Sequence, residues 1–143
     1  MGNAAESLLL AGRILFVLLF LNSAVGHLRQ GQMMVGYAQH RGMPLAGLAG
    51  WPAGLWELVG SISLAAGIWP DLGALMLGVF TIPTALWFHQ FWGVEDEQQR
   101  STERMNFLRN AALLGACLVL FVLFSTVGHD LGLAVTGPLF DLR

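Results

Sequence analysis

The sequence predicts an all-α, polytopic membrane protein: a four-transmembrane-helix bundle with the second helix kinked at Pro52. Three observations lead there. Only 11% of the 143 residues are charged and 55% are hydrophobic, whereas a soluble domain carries about 25% charged residues to cover its surface. The few charges are clustered, leaving 14–21, 58–69, 72–88 and 111–127 with none. In a hydrocarbon layer about 30 Å thick every backbone amide must be satisfied within its own segment, so apolar runs of about 20 residues become helices.

The first helix is expected at about 8–28. Its flank is too weakly basic for a cleaved leader, so it reads as a membrane helix. The polar stretch 29–43 reads as a loop or a short interfacial helix. The second helix can start at either of two prolines, because both Pro44 and Pro52 suit a first turn. A start at Pro44 gives about 37 Å of helix with Pro52 as an interior kink, and a start at Pro52 barely spans; the longer version, 44–69, is expected. Within it Gly50 and Gly54, and Ser63 and Gly67, lie one turn apart, a spacing that lets helices approach closely. Trp69 marks an interface, and Pro70-Asp71 prevents simple continuation.

The third helix is then expected over 71–92. In the connection "GVEDEQQRSTER", Asp96 and Gln99 are spaced as a capping pair, so a helix starts there before entering the membrane near Phe107. The fourth membrane helix is expected over 104–128. The closing "HDLGLAVTGPLFDLR" has a Gly-Pro break and too few apolar residues to span. With no repeat or composition shift, 1–143 reads as one domain.

Charge and cysteine usage exclude several functions. The net charge is −2 and all seven basic residues are arginine, so no polybasic segment exists for nucleic acid. Cys117 is the only cysteine, which excludes an intrachain disulfide or a CxxC redox pair. Arg29, Arg41, Arg100, Arg104 and Arg109 fall at the end of the bundle that carries the first and third loops, against Arg13 and Arg143 at the end with both termini. Positive-inside counting puts those loops in the cytoplasm.

Ionisable groups within hydrocarbon need a reason. Glu57, between Trp56 and Leu58, is expected to face the bundle interior and either pair with a cation or carry a proton. Its candidate partners are Arg13 toward the terminal end, or His27 or His89 toward the loop end. A buried hydrogen bond that fixes helix packing is the alternative role. A second group gathers at the loop end: His27 closes the first helix, His89 the third, and Asn106, Arg109 and Asn110 open the fourth at spacings that share one side. Trp87, Phe88, Phe91 and Trp92 surround His89. Aromatic residues there also suit a belt at headgroup level. Imidazole, guanidinium and amides beside an aromatic wall suit a small apolar molecule with polar oxygens, such as a quinone. Neither a haem, a flavin nor a metal is indicated: nothing fixes His27 and His89 at haem spacing, and His40 shares no ligand spacing with Glu95, Asp96 and Glu97.

The segments "GRILFVLLFLNSAVGHL", "MVGYAQHRGMP", "GLWELVGSISLAAGIWPDLGALML", "IPTALWFHQFWG" and "RMNFLRNAALLGA" resemble, in order and spacing, the DoxX family of four-helix bacterial inner-membrane proteins. The resemblance covers about 12–116. It implies kinship with the membrane subunit of thiosulfate:quinone oxidoreductase, hence a quinone-associated subunit with a further membrane or peripheral redox subunit as partner, or an oligomer. Carried over position by position, Glu57, His89, Phe91, Trp92, Asn106, Arg109 and Asn110 occupy the characteristic sites. Family members often have lysine where this chain has His27 or Arg109. A non-catalytic scaffold of a larger complex and a small transporter with Glu57 as a proton-coupled site remain as alternatives. The chain has no flavin motif, haem signature or thiol pair, so a redox cycle would need a partner.

Overall fold

A computed structural model describes residues 2–142. It contains five α-helices: α1 (Asn3–Arg29), α2 (Gly31–His40), α3 (Trp51–Ala66), α4 (Pro70–Pro83) and α5 (Glu97–Val127). α4 runs on through a π-helical turn, Thr84–Phe88. α1 packs on α3, α3 on α4 and α4 on α5. The buried positions of α1, Arg13, Val17, Phe20, Ala24 and His27, recur every three or four residues and form one stripe. α3 answers with Gly54, Glu57, Ser61 and Leu64. The main core joins Val17 and Phe20 to Leu64, Leu77, Cys117 and Phe124.

Among the described residues, three helices are long and apolar enough to cross a membrane: Asn3–Arg29, Pro70–Phe88 and Glu97–Asp130. α3 has only 16 residues, about 24 Å of helix, short of the roughly 30 Å hydrocarbon layer. The expected second helix from Pro44 is therefore corrected. Leu45 adopts a left-handed φ of 55°, a separate 3-10 turn occupies Ala46–Ala49, and Gly50 breaks the path with φ −84° and ψ −133°. α3 starts at Trp51 with Pro52 in its first turn, where a missing N–H costs nothing. Pro52 is a helix starter and not a kink.

The other boundaries follow the sequence more closely. Gly67, at φ 71°, ends α3 in the left-handed conformation, and Pro70 opens α4. The Asp96 carboxylate accepts from the Gln99 amide at 2.7 Å, so α5 starts at the expected capping pair. Of the small-residue pairs, Gly54 does bring helices together: a methyl there would stand 3.0 Å from the Ala24 carbonyl oxygen of α1. Gly67 serves as a cap, and Gly73 makes the close α3–α4 crossing, where a methyl would lie 2.7 Å from the Leu64 backbone nitrogen.

At the terminal end, the segment 131–142 folds back over the bundle. Asp71, fully buried in the first turn of α4, accepts the Leu139 and Phe140 amides at 2.9 and 2.7 Å. The Val135 and Thr136 amides donate to the Gly67 carbonyl at 3.1 and 3.0 Å. Arg13, 2% exposed, donates to the Leu133 carbonyl at 2.6 Å and lies 5.9 Å from the Phe124 ring centre. Arg13 thus serves this strap rather than Glu57.

Candidate ligand site at the loop end of the bundle

Glu57 is fully buried and faces α1, where two side chains meet its Oε2. The Ser23 hydroxyl donates at 3.2 Å, and His27 Nε2 lies 3.9 Å away. Of the three candidate partners, His27 is the one in place. Its other ring nitrogen, Nδ1, is hydrogen-bonded to the Ala49 carbonyl. A carbonyl only accepts, so Nδ1 carries the proton and Nε2 is the atom turned to Glu57. At 3.9 Å that approach exceeds a hydrogen bond, which leaves Nε2 free for a further partner. Glu57 Oε1 is buried and has no hydrogen-bond partner among the described residues. An unsatisfied buried polar atom is costly and marks a place to look for ligand or proton chemistry.

His89 is positioned by a local departure from α-helix. Pro83 has no N–H to give to the preceding turn, and the chain continues with wider bonding that ends at His89 N donating to Thr84 O at 3.1 Å. Helices that end in this way leave carbonyls without partners. α2 and the residue that caps its end supply them: Arg41, just past α2, donates from Nε to Trp87 O at 3.0 Å and from Nη2 to Gln90 O at 2.8 Å, and the Tyr37 hydroxyl donates to Phe88 O at 3.0 Å. From the far side, Glu103 of α5 holds His89 Nδ1 at 2.9 Å. The carboxylate accepts there, so Nε2 is the ring nitrogen left for a ligand.

Both imidazoles line one cavity of about 460 Å³. Its polar edge is Ser23, His27, Thr84 and His89; the remaining wall is apolar, with Phe80 and Phe88 from the α4 side and Pro52, Ala53 and Trp56 from α3. The His27 ring stands edge-on to Phe80, centres 5.7 Å apart. A largely apolar cavity with a few convergent polar groups is the usual form of a small-molecule site.

The remaining sequence candidates lie elsewhere. Arg109 is exposed, Asn106 is half-buried and Asn110 is buried, and the Asn110 amide donates to the Asn106 carbonyl at 3.0 Å along their own helix. None of the three lines the cavity. They were expected to open the membrane-embedded part of the fourth helix at the level of His89; Arg109 sits about 18 Å along α5, past the level where His89 meets Glu103. Phe91 and Trp92 pack with Phe107, ring centres 5.4 and 5.9 Å away, outside the cavity wall. Sequence reasoning missed Ser23, Glu103, Tyr37 and Arg41. Glu103 had a signal: a helix capped at Asp96 carries it two turns in, level with the end of α4.

No curated protein and no solved structure matches the chain. Residues 8–90, more than half of the sequence, match the DoxX family. The matched span holds the cavity residues from Ser23 to His89 and stops short of Phe91, Trp92, Asn106, Arg109 and Asn110, which the resemblance had included. The chain belongs to the DoxX family.

Proposed function

We propose that the chain is a quinone-associated subunit of a membrane oxidoreductase assembly, receiving electrons from a partner subunit. The observation that carries this reading is the pair of imidazoles, each with Nδ1 committed to the protein and Nε2 left over, on one apolar cavity. The residues fit such a group: 460 Å³ lies within the range of about 300–1,000 Å³ usual for small-ligand sites, its walls suit a ring, and its polar edge suits the oxygens of a quinone that gains and loses protons. A bound quinone supplies a carrier of two electrons and two protons.

The protein's own part is to orient and to handle protons. With its proton on Nδ1, each of His27 and His89 accepts at Nε2 from a ligand hydroxyl, and donates there to a carbonyl oxygen when Nε2 takes up a proton of its own. Glu57, behind His27, exchanges a proton with that nitrogen, and Ser23 fixes the carboxyl oxygen facing it. The buried Oε1 gives Glu57 a second site for the proton. Arg109 has no part here, being exposed and off the cavity wall.

The test uses the protein in lipid nanodiscs with decylubiquinone, read by tryptophan fluorescence, and turnover with its copurified electron donor. His89→Ala removes a hydrogen bond of about 1–3 kcal/mol, weakening affinity roughly five- to a hundredfold. Arg109→Ala leaves affinity unchanged. Glu57→Gln keeps the shape and the affinity but slows turnover, because an amide carries no exchangeable acid proton. Equal loss of assembly in the His89 and Glu57 variants, with affinity untouched in the folded fraction, contradicts the proposal and favours a scaffold.

A further inference from the structure

We propose that the cavity opens sideways into the hydrocarbon layer between α3 and α4, and that its ligand is an amphiphile with a ring at the imidazole end and an alkyl chain leaving between Trp56 and Val79. The inference rests on the reading of this cavity as a ligand site and adds the class of molecule and its route.

The two helices are pressed together near the terminal end and apart near the loop end. At Gly73 they meet backbone to backbone, against Leu64 and Gly60. Trp56 Nε1 donates to the Met76 carbonyl at 2.7 Å, pinning α3 to α4 one turn deeper than Val79. Beyond that pin the helices enclose space: Pro52, Ala53 and Trp56 of α3 and Val79, Pro83 and Thr84 of the α4 segment line the cavity. Val79 precedes His89 by ten residues, about 15 Å of helix, so the slot is long enough for a ring and the start of a chain.

Polarity falls along this slot from the imidazoles toward Trp56 and Val79, while exposed wall residues stand at both ends, Leu48 beside Ala49 being 53% exposed. His27 and Ala49 at the imidazole end are 8% and 4% exposed. Trp56 and Val79 at the other end are 43% and 47% exposed, on the faces that also expose Leu55, Val59 and Ile82. These faces belong to helices in an apolar medium, so an opening among them leads to acyl chains. A short polar solute has no use for a mouth there. A ring with an alkyl tail places its oxygens at the imidazoles and leaves its chain in the medium that already solvates it.

The test is photolabelling in nanodiscs of phosphatidylcholine carrying an alkyl diazirine at mid-chain, with adducts mapped by mass spectrometry. Adducts are expected on Trp56 and Val79 and also inside, on Ala53 and Thr84. Val79→Trp, a change on an exposed position, should lower the inner adducts at least tenfold and leave those on Leu55 unchanged. Adducts confined to Leu55 and Val59, or inner adducts insensitive to Val79→Trp, overturn the inference. Decylubiquinone added to the same sample separates the two readings: displacement of the inner adducts supports both. Inner adducts that persist at saturating decylubiquinone keep the lateral opening, assign the slot to a lipid chain, and contradict the quinone reading.

Discussion

Asp71→Asn is expected to release the C-terminal strap without unfolding the bundle. In the native protein each carboxylate oxygen accepts one amide, from Leu139 at 2.9 Å and Phe140 at 2.7 Å. The asparagine oxygen keeps one of these bonds; its NH₂ group then faces the other N–H, donor against donor. The lost charge-assisted bond is worth about 1.5–3 kcal/mol; the negative charge lost from the first turn of α4 is lost with the strap docked or released and does not enter the docking equilibrium. That loss shifts the docking equilibrium about 10- to 150-fold. Hydrogen exchange read at the Leu139 and Phe140 amides should accelerate by that factor, while amides in the middle of α3 and α4 keep their protection. Unchanged exchange at both amides, or equal acceleration throughout the bundle, would refute the reasoning: in the first case the carboxylate does not hold the strap, and in the second the strap is part of the global fold.

Gly73→Ala should lower stability by about 1–3 kcal/mol or more, since its methyl meets backbone atoms at 2.7 and 2.8 Å that no rotamer change can move; Gly115→Ala, with nothing within 4 Å, should be neutral or stabilise by about 0.5–1 kcal/mol. Thermal unfolding in detergent distinguishes the two. Arg41→Gln should weaken decylubiquinone binding severalfold while α5 stays protected from exchange, because Trp87 and Gln90 lose their carbonyl donor and His89 loses its fixed position; Arg41→Lys, which retains a charged donor, should restore part of the affinity.

The apolar runs and their punctuation were legible because they depend on local chemistry. Pro70 cannot continue α3, and Asp96 caps α5 by reaching three residues along its own chain. Glu57 was legible as a buried carboxyl, and His27 as one of its possible partners. The choice between Pro44 and Pro52 was not, since both suit a first turn and the deciding features, a left-handed Leu45 and a 3-10 turn, depend on how the 3-10 turn packs. There, Ala49 offers its carbonyl to His27 and Ala46 packs on Ala38. Arg109 shows the converse: Asn106, Arg109 and Asn110 open the membrane-embedded part of the fourth helix and so were set level with His89, whereas the residue that meets His89 is Glu103, nearer the start of α5. The role of Asp71 was invisible for a different reason. Its partners are backbone amides 68 and 69 residues away, and a backbone donor leaves no trace in residue type.

The most direct test of the ligand site exploits the histidine count. The chain has four histidines, of which His27 and His89 line the cavity and His40 and His129 do not. With ¹⁵N-labelled imidazoles in nanodiscs, titration with decylubiquinone should shift the Nε2 resonances of His27 and His89 saturably, while their Nδ1 resonances, held by Ala49 and Glu103, move less and those of His40 and His129 stay in place. No shift at either cavity histidine at saturating quinone, or equal shifts at all four, would contradict the account.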